Sequence, residues 1–68
     1  MITIQLGKKG VTEGFIEEVK RALNDHGKVK INILESALAH KDREAYADDL
    51  DEIFDSTKLI GNTVRISE

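Results

Sequence analysis

The chain has 68 residues, 40% of them hydrophobic and 34% charged, with a formal net charge of -3. That length supports one small domain, residues 1–68, burying only about 60% of its unfolded surface, and the composition is globular, unlike that of a disordered tail. With no cysteine there is no disulfide, thiolate metal site or thiol nucleophile. No apolar run reaches the roughly 20 residues of a membrane-spanning helix and no secretory signal opens the chain, so a cytoplasmic protein without membrane contact is expected.

Ile2, Ile4 and Leu6 alternate with Thr3 and Gln5, the period of a half-buried strand, which ends at Gly7. Beyond the turn, Thr12 is suited to cap a helix and Glu13 places a carboxylate in its positive first turn. Val11 and Ile16 stand at the positions of a hydrophobic staple. Apolar residues at Phe15, Ile16, Val19, Ala22 and Leu23 keep helical spacing until Gly27, a residue that closes helices in the left-handed conformation.

Val29, Ile31 and Ile33 then alternate with Lys28, Lys30 and Asn32, which predicts a second strand with an apolar side and a cationic side. Residues 35–41 show no decisive period and read as a loop or short turn. From Asp42, a good cap, Tyr46, Leu50, Ile53 and Phe54 with Ala45 and Ala47 predict a second helix, its outer face carrying Asp48, Asp49, Asp51, Glu52 and Asp55. Asp55-Ser56-Thr57 reads as the end of that helix. Lys58-Leu59-Ile60 and Thr63-Val64-Arg65-Ile66-Ser67 flank Gly61-Asn62, a pair suited to a tight hairpin with positive φ.

The order βαβαββ is most simply packed as a two-layer α/β sandwich, a four-stranded sheet with both helices on one face and the other face open to solvent. Charge is unevenly spread along it. Residues 1–34 hold six Lys/Arg against four Asp/Glu, whereas residues 35–56 hold two against eight. A local field, not the total, decides what approaches a given face.

The segment Gly7-Lys8-Lys9-Gly10 sits where the first strand hands over to the first helix. A helix N-terminus leaves its first amides without intrahelical acceptors and carries about half a positive charge, so it attracts anions. Glycines let the backbone approach a ligand closely, and the two lysines add mobile cations, a combination suited to a phosphodiester chain. As a pattern, G-x-x-G is weak, since five glycines in so short a chain can produce it by chance. Read without function, it is a tight turn with solubilising lysines at its tip.

Gly7-Lys8-Lys9-Gly10-Val11-Thr12-Glu13-Gly14, then an amphipathic helix, then Lys28-Val29-Lys30-Ile31, and later Ile60-Gly61-Asn62-Thr63-Val64 resemble the YhbY-type CRM domain, the chloroplast RNA splicing and ribosome maturation module. The similarity runs over nearly the whole chain in the right order. It implies RNA binding and a fold like the C-terminal domain of translation initiation factor three. For the free-standing prokaryotic form it implies association with precursors of the large ribosomal subunit, with assembly proteins as further partners. It also implies that the G-x-x-G loop, matched by Gly7 to Gly10, contacts RNA. The sequence departs from the family in three ways. It opens at the first strand where members usually carry a basic helix, it ends Ile66-Ser67-Glu68 where they tend to carry aromatic and basic residues, and its second helix is more acidic.

The expected contact centre is therefore Gly7, Lys8, Lys9, Gly10 and Thr12, with Lys28, Lys30 and Arg65 as secondary candidates and Lys20 and Arg21 contributing from the first helix. Lysines on exposed strands also guard sheet edges, so ordinary edge decoration is the competing reading of Lys28 and Lys30. The aromatics are Phe15, Tyr46 and Phe54, all on helical stripes, so base stacking on the sheet is not expected and recognition should rest on phosphate and shape. The carboxylates of the second helix lack the spacing of a calcium loop and read as a solvated face. His26 and His40 have no visible catalytic partner, and no cofactor or metal is expected. An enzyme is not expected, and a mononucleotide binder lacks the Walker sequence. The main alternative is a protein-interaction module in which the acidic second helix docks a basic partner.

Overall fold

The computed structural model describes residues 2–67. In chain order it contains β1 (Ile2–Leu6), α1 (Glu13–His26), β2 (Lys28–Ile33), α2 (Glu35–Leu38), α3 (Arg43–Ile53), β3 (Ser56–Ile60) and β4 (Thr63–Ser67). One mixed sheet has the order β1-β2-β4-β3. β1 runs parallel to β2 across the α1 connection, and β4 pairs antiparallel with β2 on one side and β3 on the other.

Alternation in the strands decides the layering. Ile4, Leu6, Val29, Ile31, Ile33, Val64 and Ile66 are buried and form one cluster with Val19, Ala22 and Leu23 of α1 and Tyr46 and Leu50 of α3. Both long helices therefore cover the same face of the sheet, and the opposite side chains of all four strands face solvent, as the two-layer reading expects.

The ends of α1 form where the sequence signals them. Thr12 is extended, and its hydroxyl oxygen accepts from the Phe15 amide at 3.1 Å. Gly27 is left-handed (φ 77°), and its amide donates to the Leu23 carbonyl at 2.7 Å. The β3–β4 loop is a two-residue hairpin pairing Ile60 with Thr63. Only Gly61 of the two loop residues has positive φ (61°), the pattern of a turn that needs glycine at its first central position alone.

The structure departs from the sequence reading in three places. Residues 35–38, expected as loop or short turn, form the single helical turn α2. Tertiary contact holds it, since Ala37 is buried and its carbonyl accepts from the Tyr46 hydroxyl at 2.7 Å. Asp42 occupies the cap position of α3, as expected, but its side chain makes no capping hydrogen bond.

The third departure is at the end of α3. The helix stops at Ile53, and Phe54 turns to extended backbone, which lets its ring enter the core while Ile53 stays 45% exposed. Asp55 therefore lies outside the helix, and Ser56 and Thr57 belong to β3, not to a helix end.

Candidate nucleic-acid interface

The strand-to-helix junction is a tight turn closed by a 3.0 Å hydrogen bond from the Gly10 amide to the Gly7 carbonyl. Lys8 and Lys9 hold its two central positions, both at negative φ and both exposed. Gly10 has φ 70°, a conformation that costs an L residue with a Cβ roughly 1–2 kcal/mol. Gly7 has no such requirement. A Cβ there would meet only Leu34 Cδ1 and Ser36 Oγ at 3.9 Å, ordinary contact, so its small size leaves the backbone open without being demanded by the turn.

The turn leads directly into the positive end of α1. Thr12 takes the Phe15 amide with its side chain and the Ile16 amide with its carbonyl, leaving the amides of Glu13 and Gly14 for an outside acceptor. The capping hydroxyl of Thr12 still has its own proton to donate. Among the described residues, Lys8 and Lys9 form no ion pair. The pairing that does form is Lys41 with Asp49, remote from the turn in sequence. The hydrogen bond to Asp49 raises the Lys41 pKa above its ordinary value; desolvation opposes it, and the charges of Asp49 and Tyr46 add to the rise.

The floor of the turn is built from two other elements. The Leu34 amide donates to the Leu6 carbonyl at 2.9 Å, which ties the start of α2 to the end of β1. The Tyr46 ring of α3 comes within 4.0 Å of the point where a Cβ on Gly10 would lie. A buried aromatic thus backs one side of the turn while its lysine tip points outward.

The remaining candidates divide between two surfaces. Lys20 and Arg21 are exposed on α1, but Glu17 precedes Lys20 by three residues and Glu18 precedes Arg21 by three, with Asp25 four beyond Arg21, so they stand in a mixed field. Lys28, Lys30 and Arg65 all face away from the helices, and the register sets Lys30 directly opposite Arg65.

Lys58, which sequence reading passed over, lies directly opposite Arg65 on the other side. The signal was present. A two-residue loop at Gly61-Asn62 pairs Ile60 with Thr63, and counting back pairs Lys58 with Arg65. The resulting row crosses the sheet as Thr3, Lys30, Arg65 and Lys58. Measured along β1, it lies four residues, roughly 13 Å, from Gly7. On the other side of the molecule, α3 exposes Glu44, Asp48, Asp51 and Glu52.

Fold and junction together define a small α/β domain whose glycine-bounded turn and open sheet face carry cations and, among the described residues, no carboxylate. The chain belongs to the CRS1/YhbY (CRM) domain family, whose model matches residues 2–64. Domains of this family generally bind RNA. No curated protein and no solved structure shows a significant match to the chain. No described helix is long and apolar enough to cross a membrane.

Proposed function

We propose that this domain binds structured RNA, and specifically ribosomal RNA in precursors of the large subunit, through the Gly7–Gly10 turn and the adjoining N-terminus of α1. Lys8 and Lys9 supply charge, and the free amides of Glu13 and Gly14 and the Thr12 hydroxyl supply hydrogen bonds to phosphate oxygens. Gly7 keeps the backbone accessible, and Gly10 sets the direction of the bend. Lys28, Lys30 and Arg65 add attraction from the sheet, with Lys20 and Arg21 contributing least because of their acidic neighbours.

The observation that carries this reading is the pairing of two exposed lysines, neither in an ion pair among the described residues, with a helix start whose Glu13 and Gly14 amides have no intrahelical acceptor, in a family that binds RNA. The acidic outer face of α3 repels phosphate and so favours approach from the open face of the sheet.

The ribosomal part is tested by sedimentation with ribosomal particles. The protein is expected to migrate with large-subunit precursors, and Lys8→Glu/Lys9→Glu is expected to release it. Equal migration of both proteins, or none of either, contradicts the assignment. A basic protein partner that binds the domain in the absence of RNA, and is lost when Asp48, Asp51 and Glu52 are neutralised, would favour the interaction-module reading.

A further inference from the structure

We propose that the open face of the sheet is a second phosphate-binding surface, running along the backbone of double-helical RNA with Lys30, Arg65 and Lys58 as its central row. The inference rests on the RNA reading above and adds to it a surface, a residue and a class of RNA.

The first support is the sorting of charge. The described strand residues 2–6, 28–33, 56–60 and 63–67 include four cations, Lys28, Lys30, Lys58 and Arg65, and no carboxylate. All four cations occupy positions that alternate with the core residues, so all four lie on the solvent side. The described carboxylates belong to the helices and their connections. Asp55, just ahead of β3, is the acid that reaches the rim of the shallow depression lined by Lys28, Lys58 and Arg65.

The second support is that the arrangement opposes folding. Like charges directly opposite each other on neighbouring strands destabilise a sheet, and Arg65 has one on each side, Lys30 and Lys58. Edge protection accounts only for Lys58. The strand order makes β2 and β4 the two central strands, so Lys30 and Arg65 guard no edge. A bound polyanion turns the repulsion into attraction.

The chemistry of the face selects the polyanion. Phe54 and Tyr46 are buried and Phe15 packs against the same core, so no aromatic ring is available on the open side for unstacked bases. Single-strand binders depend on such rings. What the face offers is a row of cations on paired strands, flanked by hydroxyl and amide groups from Thr3, Gln5, Asn32, Ser56 and Ser67. That set matches the phosphates and 2′-hydroxyls of a duplex, which are recognised by shape and backbone contact.

The test is a titration of a 20-base-pair RNA hairpin, and of oligouridine with the same number of phosphates, at several salt concentrations. Wild type, Lys58→Gln/Arg65→Gln and Lys8→Glu/Lys9→Glu are compared. The sheet variant is expected to bind the hairpin more weakly, with a log-log salt slope shallower by about 2, one per cation removed. Its Tm is expected to hold or rise as the repulsion is relieved, and Lys58→Gln alone, on the edge strand, gives about half the slope change. Wild type is expected to prefer the hairpin.

Superimposable hairpin titrations of wild type and the sheet variant overturn the proposal. If the turn variant weakens binding in the same experiment, the turn reading survives that failure; if neither variant does, both fail together. Oligouridine bound as tightly as the hairpin overturns the duplex assignment. A sheet variant that changes self-association while leaving hairpin binding intact overturns it in favour of a second copy of the chain, docked through its acidic α3.

Discussion

Tyr46 and Ala37 meet inside the protein, where the Tyr46 hydroxyl donates a 2.7 Å hydrogen bond to the Ala37 carbonyl and both residues are buried. The contact anchors α2 to α3, and the ring that makes it also flanks Gly10. One buried side chain thus connects the acidic helix, the one-turn helix and the side of the basic turn. Tyr46→Phe keeps the packing and leaves the Ala37 carbonyl with the His40 amide, at 3.1 Å, as its remaining donor, so the loss is that of one net hydrogen bond, about 1 kcal/mol. For a domain of this size each kcal/mol lowers Tm by roughly 4–8 °C, which calorimetry will read. An unchanged Tm would mean that the His40 amide alone satisfies the Ala37 carbonyl and that the tyrosine hydroxyl adds nothing to stability.

The two glycines of the turn separate by substitution. Gly10→Ala forces a Cβ into positive φ and is expected to cost about 1–2 kcal/mol. Gly7→Ala meets only ordinary contacts and should leave Tm near wild type. If Gly7 belongs to the proposed contact surface, RNA affinity should nevertheless fall in Gly7→Ala, because the added methyl narrows the approach to the backbone. Native affinity in that variant would remove Gly7 from the contact surface.

Capping and contact separate at Thr12. Thr12→Ala removes the acceptor of the Phe15 amide and is expected to cost about 1 kcal/mol. Thr12→Asp keeps an acceptor and suits the helix dipole, so Tm should stay near wild type, while the new negative charge beside Lys8 and Lys9 weakens RNA binding. Equal RNA affinity for wild type and Thr12→Asp would restrict Thr12 to capping.

The Lys41–Asp49 pair is exposed and is expected to matter little. The lysine pKa is raised in the folded protein, so what the lysine's protonation contributes is present in full at neutral pH and fades as pH climbs through that raised value. Asp49→Asn should therefore leave Tm unmoved between pH 6 and 8 within roughly the small range of surface pairs. A pH-dependent fall in that interval would contradict it.

Local signals were legible where one residue type answers one backbone demand. Thr12 and Gly27 bound α1, Gly61 turns the hairpin, and the alternation in residues 28–33 separates core from cations. The short α2 was not legible, because Ala37 is held by a tyrosine nine residues away and no periodicity records that. The end of α3 misled for a related reason. Ile53 and Phe54 both fit a helical stripe, and only packing decides that the chain unwinds so that Phe54 is buried.

At the candidate site, the turn and its lysines follow from Gly7-Lys8-Lys9-Gly10 alone. The cationic row does not, because it requires the strand order. Once β4 inserts between β2 and β3, Lys30, Arg65 and Lys58, far apart in sequence, become neighbours.

The most direct test of RNA binding at the turn is the salt dependence of RNA affinity for wild type and Lys8→Glu/Lys9→Glu. The variant is expected to bind more weakly, with a log-log slope shallower by about 2 and Tm preserved, because both side chains are exposed and, among the described residues, outside any ion pair. Coincident binding curves at every salt concentration would contradict it.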